Sequence, residues 1–136
     1  MDDLEALVGE WGIGGPPPAE PLGRVAFEWM AGRRFLVQRW ESEPPEFPDG
    51  LAVIGAAESG DGYLQHYFDS RGVARRYEMS LRDGVWKLWR TAEAPDFSQR
   101  FTGRLSDDGN TIDAKWEICH DGSTWEHDFD LVYKRA

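Results

Sequence analysis

Cysteine is almost absent. Cys119 stands alone among 136 residues, so no disulfide can form within the chain and stability must come from packing. Positive charge is also scarce. Fifteen Lys and Arg face 25 Asp and Glu, a formal net charge of −10. No Lys/Arg-rich run overrides that sign, and a phosphate backbone or an anionic bilayer surface would be repelled. Neither nucleic acid nor a membrane is an expected partner. Three scattered histidines and one cysteine offer no zinc-binding spacing. No apolar stretch approaches the roughly 20 residues that span a bilayer. The opening Met1-Asp2-Asp3-Leu4-Glu5 is acidic, where a secretory signal is basic and then apolar, so a cytoplasmic location is the default expectation. A nucleophile elbow, a phosphate loop and a dinucleotide fingerprint are all missing. Asp107-Asp108-Gly109-Asn110 lacks the alternating ligands and final Glu of a calcium loop and reads as a hairpin turn.

What the chain does have is aromatic mass and turn chemistry. Aromatics make up 13% of it, including seven Trp, beside 15 Gly and eight Pro. Large rings bury much area each, and frequent turn residues favour many short strands over a few long helices. Asp2 to Val8 reads as a short helical turn with Asp2 or Asp3 as its cap and Leu4, Leu7 and Val8 on one face, plugging one end of a sheet structure. Period-two patterning then predicts strands over roughly 10–15, 23–31, 34–42, 49–59, 63–69, 73–81, 85–91, 97–106, 111–119 and 123–134. Gly32-Arg33, Asp83-Gly84, Asp108-Gly109 and Asp121-Gly122 mark tight reversals. Pro16-Pro17-Pro18 with Pro21, and Pro44-Pro45-Glu46-Phe47-Pro48, read as stiff connections that stay out of any ladder. With nearly every connection short, neighbours in sequence are neighbours in space. The expected fold is all-β: one domain over 1–136, an antiparallel up-and-down meander barrel of about ten strands, lipocalin-like, because closure removes the exposed edges.

Alternation assigns faces. Trp125, His127, Phe129, Leu131 and Tyr133 fall on one side of the last strand; Ile112, Ala114, Trp116 and Ile118 do so on the one before. Phe35 and Val37 lead inward to Arg39 and Glu41, which leaves Leu36, Gln38 and Trp40 outside. The stretch around Trp86 and Trp89 gives no clear face. Arg39, Glu41, Arg75, Gln99 and His127 thus stand out as polar groups on apolar faces. Unpaired buried charge is costly, and a solid core would rarely hold five such groups, whereas a water-containing cavity would. Each also has a plain structural role open to it: ion pairing, a position at the rim, or, for His127, a hydrogen bond in the core.

Three functional readings follow. In the first, the barrel binds a small, largely apolar ligand with an anionic head group. Arg75 and Tyr77 on one face and Arg39 on another strand suit a carboxylate or phosphate. Trp29, Trp89, Phe101 and Trp116, with Tyr67 and Glu41, complete the lining. In the second, an enzyme uses the same cavity with His127 as acid or base and Glu41 or Arg39 assisting. In the third, an exposed Trp40 or Trp86 patch docks a partner, including a second copy in a homodimer.

Two stretches carry a family likeness. Leu7-Val8-Gly9-Glu10-Trp11-Gly12-Ile13-Gly14 resembles the opening of nitrobindin-like, calycin-type barrels, where a helical turn runs into a strand bearing a Gly-x-Trp-x-Gly motif. Asp130-Leu131-Val132-Tyr133-Lys134-Arg135 resembles their closing strand. The resemblance implies a ten-stranded barrel with a hydrophobic cavity, and in nitrobindins a haem held by a histidine three residues before that Tyr. Here Asp130 occupies the position, and a carboxylate is a poor haem-iron ligand beside imidazole. No cofactor is therefore expected, with haem binding kept as an alternative to the apolar ligand.

Overall fold

A computed structural model describes residues 2–15, 21–43, 47–92 and 96–136. A 3₁₀ helix, Asp2–Leu7, precedes ten strands: β1 (Gly9–Gly14), β2 (Pro21–Trp29), β3 (Leu36–Ser42), β4 (Gly50–Ala56), β5 (Tyr63–Asp69), β6 (Ala74–Arg82), β7 (Val85–Arg90), β8 (Ser98–Leu105), β9 (Thr111–Cys119) and β10 (Glu126–Arg135). Each strand pairs antiparallel with its sequence neighbours, and β1 pairs with β10, so the sheet closes into an up-and-down barrel. No helix among the described residues is long and apolar enough to cross a membrane.

Turn chemistry explains the meander. Asp83 and Gly84 both adopt positive φ, 53° and 74°, the two-residue reversal whose twist matches its flanking strands. Gly50 has a different task. It begins β4 without a positive φ, and a methyl group there would fall 2.3 Å from Trp40 Cζ2. Glycine is needed so that the indole can lie against the backbone. Pro21 does enter the ladder, contrary to the sequence reading. It is the first residue of β2, opposite Gly14 where the register shifts, a place that tolerates a missing N–H. Pro16–Pro18, Pro44, Pro45 and Pro95 lie outside the described residues.

The helix shuts one end of the barrel. Leu4 and Leu7 are fully buried; three residues apart, they eclipse on one face of a 3₁₀ turn. Trp11 Nε1 donates to the Leu7 carbonyl at 2.9 Å, and Trp29 Nε1 donates to Glu5 Oε1 at 2.8 Å. Glu5 is also paired with Arg33 on the β2–β3 turn. Arg135, at the end of β10, binds this corner together. Its guanidinium lies 4.1 Å from the Trp11 ring centroid and donates to the carbonyls of Val8 (2.8 Å), Ala6 (3.0 Å) and Gly109 (3.1 Å).

Two of the expected faces are reversed. Cross-strand pairing of Gln38 with Phe27 and of Trp40 with Val25 puts Leu36, Gln38, Trp40 and Ser42 inside, and turns Val37, Arg39 and Glu41 to the outer face, where Val37 is nonetheless buried. Both parities of this strand carry apolar residues, so alternation alone could not choose between them. In β10 the register shifts between His127 and Phe129. The extra residue, Asp128, flips everything before it: Phe129, Leu131 and Tyr133 remain inside, whereas His127 pairs with Glu117 on the outer wall.

Arg135→Ala removes the charged donor to three carbonyls and the cation over Trp11. It is expected to cost about 2–4 kcal/mol, less than three fully buried bonds from a charged group at on the order of 1.5–3 kcal/mol each, because Arg135 is only half-buried and water replaces part of the loss. Urea unfolding checks this; a loss below about 0.5 kcal/mol, a typical surface value, would show that closure does not depend on the latch.

Candidate functional site

Opposite the helix, the barrel is open to a cavity of about 390 Å³. Its walls are aromatic and aliphatic: Val25, Trp86, Leu88, Phe101, Trp116 and Leu131, with Tyr133 toward the closed end and Trp40, Phe47, Pro48 and Phe129 toward the mouth. The volume lies at the small end of the range for ligand sites.

A chain of touching rings shapes the wall. Phe27 meets Trp86 edge-on at 5.8 Å, Trp86 meets Phe101 at 4.7 Å, and Phe101 meets Trp116 at 5.1 Å. Tyr77 follows at 5.8 Å from Trp116 and 6.2 Å from Tyr67, and Tyr67 stacks on Trp40 at 5.3 Å. Edge-to-face pairs contribute on the order of 0.5–1.5 kcal/mol beyond burial. They also hold flat rings at steep angles, a geometry that leaves space between them.

The mouth is fixed by hydrogen bonds. Tyr67 Oη donates to Asp69 Oδ2 at 2.6 Å, and Arg71 Nη2 donates to the same oxygen at 2.7 Å. The Arg71 guanidinium, with the phenol's help, holds the Asp69 carboxyl well below its usual range, while burial pushes the Tyr67 phenol up. Tyr77 Oη donates to Gln99 Oε1 at 2.7 Å. Trp40 Nε1 donates to the Pro48 carbonyl at 3.1 Å. Burial alone raises the Tyr133 phenol, a sign of low polarity at the inner end.

Among the expected site residues, Tyr67, Phe101 and Trp116 line the cavity, and Tyr77 packs directly behind them. Arg75 faces inward beside Tyr67, but its guanidinium lies 5.2 Å from the Phe97 centroid, which Arg90 also approaches at 5.1 Å, and Arg75 does not line the cavity. Trp29 belongs to the closed end, bonded to Glu5. Four residues are on the outer wall. Arg39 is exposed and pairs with Glu28 at 3.0 Å. Glu41 pairs in register with exposed Arg24. Trp89 sits between Glu78 and Arg100 in the ladder. His127 Nε2 lies 2.8 Å from Asp130 Oδ1, near the Arg100–Glu117 pair. For Arg39 and Glu41 the β3 partner strand decides the face, and for His127 the β10 bulge does; for Trp89 the β7 pattern, apolar on both parities, assigns no face.

Most of the wall lies outside the site expected from sequence, and its two buried amides, Gln38 and Gln65, 7% and 3% exposed, are among the residues missed. The signal was present in Leu36-Gln38-Trp40 and Tyr63-Gln65-Tyr67, where a polar residue interrupts an apolar face. Trp86 is 1% exposed, so it forms no surface patch, and Trp40 is spent on the mouth. A second recess, about 380 Å³, lies on the outer wall among the mixed charges Arg104, Asp113, Lys115 and Asp130.

His127 and Glu41 do not form an acid–base pair, since each faces outward with other partners in register. No imidazole is among the described residues that line the cavity, and Asp130 pairs with Lys115 on the outer side of β10 while its carboxyl engages His127. These residues do not fit a haem held by an axial nitrogen. No family model and no curated protein matches the chain.

Asp69→Asn tests the mouth through its pH dependence. A depressed native pKa stabilises the fold above the ordinary carboxylate range and loses that contribution as pH falls through the native value. Wild type should therefore exceed the variant by about 1–3 kcal/mol near neutral pH, the worth of hydrogen bonds to a charged group. That advantage should shrink as pH drops below about 4. Urea midpoints from neutral to acidic pH measure it, and an advantage that did not change with pH would contradict the assignment.

Proposed function

We propose that the barrel binds a small, largely apolar molecule in its interior. The observation that carries this reading is the cavity of about 390 Å³, open at one end and walled by rings held at steep angles. A chain whose only task was to be stable would gain by filling such a space, because unfilled volume forfeits dispersion contacts. The likeness of the two chain ends to nitrobindin-like barrels supports a barrel with an apolar cavity. The expected anionic head group finds no support in the lining: Arg39 is outside and Arg75 is held at Phe97.

Trp40, Trp86 and Trp116 line the cavity, so binding should change tryptophan emission. Titration with butylbenzene and indole is expected to give saturable changes. Leu131→Trp, which places a large ring in the cavity, should weaken binding at least about tenfold, a loss of roughly 1.4 kcal/mol. Linear, unsaturable responses identical in both proteins would count against a ligand site.

A further inference from the structure

Two residues of the cavity wall each hold a buried polar atom with no hydrogen-bond partner among the described residues. Gln65 is 3% exposed and its Oε1 is buried without a hydrogen-bond partner; Trp86 is 1% exposed and its Nε1 is in the same condition. Both residues line the cavity, as does the buried amide of Gln38. A buried acceptor or donor left unpaired is costly, and such groups are rare unless something is meant to meet them.

The charges point the same way. No Lys, Arg or His is among the described residues lining the cavity, and the one carboxylate residue among them, Asp130, has its carboxyl engaged with His127 on the outer side of β10. The nearest guanidinium groups by register, Arg75 and Arg90, clasp Phe97, and Arg90 Nη2 is committed to Asp96 Oδ1 at 3.0 Å and to the Phe97 carbonyl at 2.9 Å. An anion entering would lose its hydration without meeting a counter-charge, and it could not donate to Gln65 Oε1. A neutral hydroxyl or carboxamide carries both a donor and an acceptor, the two complements that Gln65 Oε1 and Trp86 Nε1 lack.

We infer that the cavity selects an uncharged ligand, apolar over most of its surface and ending in a hydroxyl or carboxamide, with Gln65 as the residue that reads the polar end. This rests on the ligand-cavity reading. It makes Gln65 a specificity determinant and sets the site apart from barrels that hold fatty carboxylates through arginine.

The test is a matched series at pH 8: butylbenzene, 4-phenylbutan-1-ol, 4-phenylbutanamide and 4-phenylbutanoate, titrated by calorimetry and tryptophan emission. The amide and the alcohol should bind at least about tenfold tighter than the carboxylate, roughly 1.4 kcal/mol. Gln65→Leu should weaken the amide at least fivefold and leave butylbenzene within twofold. If the carboxylate matches or exceeds the amide, the inference is overturned although the cavity reading survives. The same holds if Gln65→Leu shifts all four probes alike. If no probe binds, butylbenzene included, the ligand-cavity reading falls and this inference with it. Should Gln65→Leu fail to fold, Gln65→Met and the wild-type ranking decide.

Discussion

The pairing of β1 with β10 is the contact on which the rest of the molecule depends. Without it the ten strands are a curled sheet with two open edges; with it there is an inside and an outside. Trp11 and Arg135 are opposite each other in that pairing, and the guanidinium covers the indole while its nitrogens reach the carbonyls of Ala6, Val8 and Gly109. One side chain from the end of the chain therefore ties the first helix, the first strand and the β8–β9 turn. The same corner buries Leu4 and Leu7 and shuts that end. The opposite end is left as the way in.

Closure also decides what can fill the interior. Inward positions alternate large rings with small groups: Trp40 lies over Gly50, and Ala52 and Ala114 stand among the aromatics of β3, β5 and β9. Rings fixed edge-to-face cannot slide to close the gaps between them. The buried glutamines of β3 and β5 are poor core fillers and costly when unpaired. Packing and polarity thus converge on one volume, bounded by the ring chain on one side and by β10 on the other.

Much of the fold was legible in the residues. Ten period-two segments, reversals such as Asp83-Gly84 and short connections led to the meander, and Leu4 and Leu7 identified the plug. The site was legible only where a strand has one apolar face. Phe101 and Trp116 were placed correctly because β8 and β9 alternate cleanly. In β3, Phe35 and Val37 compete with Leu36 and Trp40, and only the partner strand breaks the tie. In β10, one extra residue moves His127 outside, and a bulge leaves no mark on composition. Those two ambiguities put Arg39, Glu41 and His127 on the inner face by sequence and hid Gln38 from view.

An unfilled apolar interior, entered from one end, is the claim on which the functional account stands. Xenon settles it without any assumption about ligand chemistry, since it occupies dry apolar space and little else. Crystals of the protein under xenon pressure should show a bound atom between Trp86, Leu88, Phe101 and Trp116. An interior packed solid by those same side chains, with no xenon inside the barrel, would contradict the account.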